Sequence, residues 1–421
     1  MKNLLTATAT VLMVIVSFVN LNAQINLKVK SLDLNNSKKL NQQLMPIITQ
    51  IGNKRIVALG EGTHGTKEFN ELRITMIKQL IEQKGFTIIC FENPYGDSHF
   101  LNQIINSEQD IHVGLRKYAI SLWQTEEIEN FFLWLRAYNK SHKNKVEFMG
   151  IDFNFIANSA KIIRNEFNTD TLLQVKSQNL YNFALYQDTE WEKQNDSTAK
   201  IDFEMVLKNG AEGYKTVQII DSILHIREIP ISDNLQKALL NCKHGFDMLY
   251  NGFFQKEGTP RDKLMAEIVT CIANQNKKSK MIIWVHAAHA AFKPTYKNDN
   301  GGGMGGYLRE KFGTDFYSLG TTTANGTYSA TKDNFDTRSN LFSVYTLTKP
   351  LKNSWENLFL ENQNLAFFIA FKENISSIKL KWRPIGYTQE TPACYSDEIK
   401  LSDYFDGLIF VRNTTASVHN Q

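Results

Sequence analysis

The chain has 421 residues, 42% hydrophobic and 21% charged, so it can bury at least one large core and is too apolar for a disordered tail. Lysine plus arginine number 47 against 43 aspartate plus glutamate, a net charge of +4, and no window is strongly basic, which argues against nucleic-acid binding. With 11% aromatic residues and 8 prolines, low-complexity and collagen-like chains are excluded too.

Residues 1–23, MKNLLTATATVLMVIVSFVNLNA, read as a secretory signal peptide. A lysine precedes an apolar stretch from Leu4 to Val19, and Leu21-Asn22-Ala23 supplies small residues before a cut ahead of Gln24. The apolar core is short for a membrane anchor, no positive stop-transfer flank follows, and no cysteine at the cut marks a lipoprotein. No later segment approaches the roughly 18 uninterrupted apolar residues of a membrane span. The expectation is an exported protein, periplasmic or extracellular, with no membrane span after signal cleavage.

In chain order, the first strand is Arg55–Gly60 (RIVALG), followed by a helix over Thr66–Gln83 with Phe69, Leu72, Met76, Ile77 and Leu80 at helical spacing. Thr66 is its expected N-cap and Gly85 lies just beyond its end. The strand Thr87–Glu92, the amphipathic helix Thr125–Asn139 and the strand Val146–Asp152 come next. Residues 155–280 hold helical stretches and no convincing strand, as in a helical insertion capping a sheet edge. Met281–His286 resumes the strands, and Phe316–Leu319, Leu365–Phe371 and Leu408–Val411 complete them. Short apolar runs alternating with helices predict an α/β fold, a mainly parallel sheet flanked by helices, with a largely helical insertion forming a cleft. The expected core is 24–154 plus 281–421, and the insertion about 155–280. The four cysteines make no disulfide framework and no CxxC motif; Cys90 reads as core packing, and one disulfide among Cys242, Cys271 and Cys394 stays open.

The informative pattern is what terminates these strands. RIVALG runs into Glu61 and then His64; TIICF ends in Glu92; VEFMGI ends in Asp152; MIIWV ends in His286, with His289 three residues on. In a parallel sheet all of these reach one carboxyl edge, where open α/β sheets bind ligands. Any one alone reads as a cap or turn residue; four strands ending this way point to a site. His64, between Gly62 and Gly65 and close to Glu61, suits a general base whose tautomer the carboxylate sets.

Gly60-Glu-Gly-Thr-His-Gly-Thr66-Lys67 nearly matches a P-loop, but Lys and Thr are transposed and Glu61 opposes phosphate. Gly301–Gly306 contains GxGxxG without leaving a strand, and reads better as an active-site loop feeding a helix from Tyr307. No GxSxG occurs. His64, His286, His289, Glu61 and Glu92 could instead ligate a metal, so a metal-dependent hydrolase of another ester, a peptide or a phosphate stays open, as does a binding protein without catalysis.

RIVALGEGTHGTKEFNELR, GFTIICFE, WQTEEIENFFLWLRAYN, FMGIDF, RDKLMAEIV, KMIIWVHAAHAAF, MGGYLREKFG and YFDGLIFVR together resemble the erythromycin esterase family. The resemblance implies an α/β fold with a helical portion forming a deep cleft, and hydrolysis of a macrolactone ester without metal or other cofactor. It implies that His64 activates water and that Glu61, Arg73, Glu92, His286 and His289 line the cleft, with Asp152 and Arg261 contacting substrate. The residues alone make Arg73 a surface group or an ion-pair partner on its helix. The implied partner is a small-molecule ester such as a macrolide, with Arg73 or a protonated histidine stabilising the oxyanion.

Overall fold

The computed structural model describes residues 27–248, 250, 259–295, 303–373 and 377–420; residues 1–23, read as a signal peptide, lie outside them. The strands are β1 (Val29–Ser31), β2 (Ile56–Glu61), β3 (Phe86–Pro94), β4 (Glu147–Asp152), β5 (Lys280–His286), β6 (Phe316–Ala330), β7 (Ser343–Thr346), β8 (Ala366–Ala370) and β9 (Gly407–Thr414). Before β5 come the helices α1 (Ser37–Ile51), α2 (Lys67–Lys84), α3 (Tyr95–Ile105), α4 (Ile111–Tyr118), α5 (Glu126–Ser141), α6 (Ala157–Glu166), α7 (Thr171–Glu192), α8 (Phe203–Ile226), α9 (Asp233–Asp247) and α10 (Arg261–Gln275). After it come α11 (Ala287–Ala290), α12 (Met304–Phe312) and α13 (Trp355–Phe359).

The sheet runs β1-β8-β9-β6-β2-β5-β3-β4, with β7 paired to β6 off this path. From β9 to β4 every neighbouring pair is parallel, whereas β8, β1 and β7 pair antiparallel. The fold is α/β with a mainly parallel sheet. Successive side chains face opposite sides: Ile56, Ala58, Cys90, Met281 and Ile283 join a core with the helices from α6 to α10, while Val57, Leu59, Phe91, Ile282 and Trp284 pack against α1, α2, α4 and α5. Burial on both faces is why these strands read as unbroken apolar runs.

Between residues 155 and 280 the described elements are all helical. Helices α6–α9 pack on one another and against α3 and α10, and α10 reaches β4, the edge strand. No helix of the described residues is long and apolar enough to cross a membrane. Cys90, buried within β3, and Cys242 and Cys271 are free thiols, so neither Cys242 nor Cys271 takes part in a disulfide.

Several boundaries differ from expectation. Strand β6 is 15 residues long rather than four: its Thr- and Ser-rich second half looks like a loop in sequence, yet it pairs with β9 and then β7, and threonine suits a pleated strand. Strand β3 continues past Glu92 to Pro94, its register with β4 shifting between Phe91 and Pro94. Helix α12 begins at Met304, not Tyr307, with Gly303 before it at φ +101°, a left-handed conformation that favours glycine. Residues 301–302 of the Gly-rich run lie outside the described residues. Gly85 ends α2 with φ +69°, as its position suggests.

Candidate active site

Strands β2 and β5 align so that Glu61 stands opposite His286 and Leu59 opposite Trp284. Two parallel strands thereby deliver a carboxylate and an imidazole side by side at their carboxyl ends. The turn 62–66 then folds into α2. Its glycines serve close approach rather than an unusual backbone angle: a Cβ on Gly62 would meet the Thr321 carbonyl oxygen at 2.6 Å, and one on Gly65 the Ser329 carbonyl oxygen at 1.8 Å. Neither glycine has positive φ. Thr66 has the extended backbone of an N-cap but makes no capping bond; its hydroxyl bonds that of Thr63 instead. The turn is thus clamped onto β6, which presents His64 at a constant place.

His64 Nδ1 lies 2.5 Å from Glu61 Oε1. A carboxylate accepts, so Nδ1 carries the proton and donates it, and Nε2 keeps its lone pair. Among the described residues Nε2 has no hydrogen-bond partner. The ring is nearly buried, edge-on to Trp123 at 6.0 Å, 5.1 Å from His286 and 6.4 Å from Tyr387, centroid to centroid. The other oxygen of Glu61 accepts from Trp284 Nε1 at 2.8 Å, with Arg73 Nη1 3.4 Å away.

Arg73 is buried, not on the surface. Its Nη2 donates to the Gly60 carbonyl at 2.8 Å and to Thr321 Oγ1 at 2.7 Å, and its plane lies near the Phe69 and Trp284 rings. Burial lowers its pKa to about 10, against the opposing pull of Glu61. With its donors directed at Glu61 and the backbone beneath it, Arg73 supports the dyad from below, and the geometry does not make it the oxyanion donor.

A second group adjoins the first through Glu92. Its Oε2 accepts the backbone N–H of His286 at 2.9 Å; its Oε1 lies 3.1 Å from His289 Nε2 and 3.2 Å from Arg261 Nη2. The Trp123 indole donates to the Glu92 carbonyl at 2.8 Å. His289 Nδ1 meets Asp262 Oδ1 at 2.9 Å. Both nitrogens of His289 therefore face carboxylates: burial alone would depress its pKa, but Asp262 and Glu92 raise it well above the ordinary value. Burial would likewise raise Glu92, yet His289, Arg261 and His64 hold it well below the carboxylate range. Arg261 also binds Asp152 through Nη2 and, at 3.2 Å, through Nε. Asp152 is fully buried, so it anchors Arg261 and has no exposed carboxylate of its own, whereas the Arg261 guanidinium is partly exposed.

His286 behaves differently. Burial, with His64 and His289 nearby, lowers its pKa to about 3, so the ring is neutral around pH 7. Its Nε2 donates to the Ile385 carbonyl at 3.2 Å, and Nδ1 accepts from Ala288 N at 3.4 Å.

All eight residues singled out in the sequence thus form one connected network, Arg73–Glu61–His64–His286–Glu92, with His289, Arg261 and Asp152 joined through Glu92 and each other. The structure adds Asp262, Trp284, Trp123, Tyr387 and Asp336. Asp262 stands beside Arg261 in RDKLMAE; Trp284 and Trp123 look like core residues, and their indole donors are invisible to periodicity; Asp336 lies in a polar stretch with no pattern. As a metal site the cluster is poor: among the described residues no three His, Cys, Asp or Glu side chains are arranged around an ion. His289 has both nitrogens engaged, and the Arg261 guanidinium already occupies the place between Glu92 and Asp152.

A family model described as erythromycin esterase matches residues 81–414, a stretch that begins beyond the His64 turn and takes in Glu92, Asp152, Arg261, His286 and His289. The erythromycin esterase type II of Escherichia coli is 28% identical over 367 residues, covering 79% of this chain and 85% of that protein. A putative hydrolase, YbfO, of Bacillus subtilis (strain 168) is 23% identical over 417 residues, covering 91% of this chain and 89% of the relative. Among solved structures, a succinoglycan biosynthesis protein matches with a TM-score of 0.77 at 19% identity, covering 93% of this chain and 96% of that one. A mutant erythromycin esterase in its open conformation matches with a TM-score of 0.69 at 18% identity, covering 91% and 97%. At these identities the solved structures speak for the fold.

Proposed function

The chain belongs to the erythromycin esterase family, a family of hydrolases, and from that premise we propose that it opens the lactone ester of macrolide antibiotics with a water molecule activated by His64. The observation that carries this reading is the asymmetry of the His64 ring: Nδ1 is held by Glu61 at 2.5 Å while Nε2 is left without a protein partner among the described residues. In that tautomer Nε2 takes a proton from water as the oxygen adds to the ester carbonyl, and Glu61 stabilises the imidazolium that forms. The Arg261–His289 pair, positive and next to the dyad through Glu92, is the group able to offset the developing oxyanion. Collapse expels the alkoxyl group, which leaves as the alcohol on taking a proton, and the new carboxylic acid ionises at neutral pH, which opposes reclosure.

Incubating the purified protein with erythromycin and looking by mass for a product heavier by one water tests the substrate. Ring-opened product, undiminished by chelator, supports the proposal. Intact antibiotic after long incubation removes the macrolide as substrate, and activity abolished by chelator would favour the metallohydrolase reading instead. We further propose export to the periplasm or the exterior, supported by the signal-like residues 1–23; secretion of a reporter fused to that segment tests it.

A further inference from the structure

The segment between β6 and β7, residues 331–342, crosses the molecule as a strap tied at both sides. On the core side, Ser121 N donates to the Thr337 carbonyl at 2.8 Å and Gln124 Nε2 to the Arg338 carbonyl at 3.0 Å. On the helical side, Trp191 Nε1 donates to the Asp336 carbonyl at 3.1 Å, Asn195 Nδ2 to the Phe335 carbonyl at 2.7 Å, and Arg338 pairs with Glu192 at 3.4 Å and stacks 3.7 Å from the Phe155 ring. At its beginning, Thr331 N bonds the Tyr387 carbonyl at 2.9 Å and the Tyr387 hydroxyl donates to the Asn334 carbonyl at 2.6 Å. Tyr387 is the same ring that approaches His64.

The strap carries Asp336 to the Arg261 end of the network. Its Oδ2 accepts from Asn154 Nδ2 at 2.9 Å, two residues beyond Asp152 at the end of β4. Arg261, Asp152 and Glu92 from the core and Tyr387 from the strap's own anchor are the charged and titratable groups near enough to act on it. Nothing in the water-activation step uses this carboxyl.

We infer that Asp336 is the proton donor to the departing alcohol in the proposed ester hydrolysis, serving the end of the site away from Glu61. The inference rests on the His64 reading above. As the tetrahedral intermediate collapses, the bond between acyl carbon and alkoxyl oxygen breaks, its electron pair leaves with the oxygen, and the oxygen takes the Asp336 proton. Asp336 regains a proton from solvent, and His64 releases to solvent the one it took from water, so ester and water give acid and alcohol with no other reactant. The surroundings suit a proton donor. Burial, with Asp152 and Glu92 nearby and Arg261 opposing, raises Asp336 to about 7, while Glu92 stays ionised. A carboxyl that titrates near neutral pH can both give a proton and regain one from solvent.

The test is the dependence on leaving group, measured on the full chain with ethyl and 4-nitrophenyl esters of the same carboxylic acid. An alkoxide needs a proton to leave; 4-nitrophenolate does not. Asp336→Asn is expected to lose about 10²-fold more in kcat/KM on the ethyl ester than on the nitrophenyl ester, and Asp336→Glu to restore part of that difference. Equal losses on both esters, or no loss, would overturn the inference. His64→Ala, run in parallel, is expected to lose both substrates alike. If it retained both, the water-activation reading would fall, while the ratio for Asp336→Asn would still report on the donor.

Discussion

The Trp284 indole donates to Glu61 across two neighbouring parallel strands at 2.8 Å, so the carboxylate that orients His64 is itself oriented by a core residue of β5. Trp284→Phe keeps the apolar body of the side chain and removes only the donor. We expect a stability loss of about 1.5–3 kcal/mol, as for a hydrogen bond to a charged group, read from denaturant unfolding. A fall in kcat exceeding any change in KM should accompany it, because Glu61 is then free to turn away from His64.

Arg73→Ala leaves Glu61 buried without its nearest cation. Breaking such a pair from one side costs about 3–5 kcal/mol, so a large drop in unfolding free energy is expected. Arg73→Lys should recover little of it, because the guanidinium reaches Gly60, Thr321 and Glu61 at once and a point charge cannot. Recovery to wild-type stability by lysine would contradict this placement.

The Glu92–His289 pair predicts a pH window for stability. Glu92 is held below its ordinary 4.5, so its contribution is fully present above that pH and is lost as the pH falls through the depressed folded value. His289 is held above its ordinary 6.5, so its contribution is fully present below that pH and is lost as the pH rises through the raised folded value. Both operate between pH 4.5 and 6.5. The difference in Tm between wild type and His289→Asn should therefore be widest in that interval and narrow at high pH; a difference that grows steadily toward alkaline pH would contradict it.

Gly65→Ala places a Cβ 1.8 Å from the Ser329 carbonyl oxygen, a backbone atom that cannot swing aside. Destabilisation at the upper end of about 1–3 kcal/mol is expected, with activity lost as the turn lifts off β6. Gly85 lies in open space but has positive φ, so alanine there should be strained only locally and leave activity unchanged.

Much of this arrangement is legible in the sequence because its physics is local. Continuous apolar runs reveal β2 to β5, and their last residues mark the sheet edge. The spacing of Glu61 and His64 brings a carboxylate and an imidazole together within one turn. Helical spacing also encodes the burial of Arg73, against its reading as a surface group: it follows Phe69 by four residues and precedes Ile77 by four, on the buried face of α2. Asp262, Trp284 and Asp336 depend on partners 27, 223 and 182 residues away, and no local pattern encodes those distances. The long β6 hides because its pairing with β7 and β9 outweighs a polar composition.

That His64 Nε2 takes the proton from water is tested most directly by kcat/KM of His64→Ala beside wild type on an ester the wild type hydrolyses, with Tm measured on both. The predicted result is a loss of about 10²–10⁴-fold without a matching loss of fold; turnover within a few-fold of wild type would contradict it.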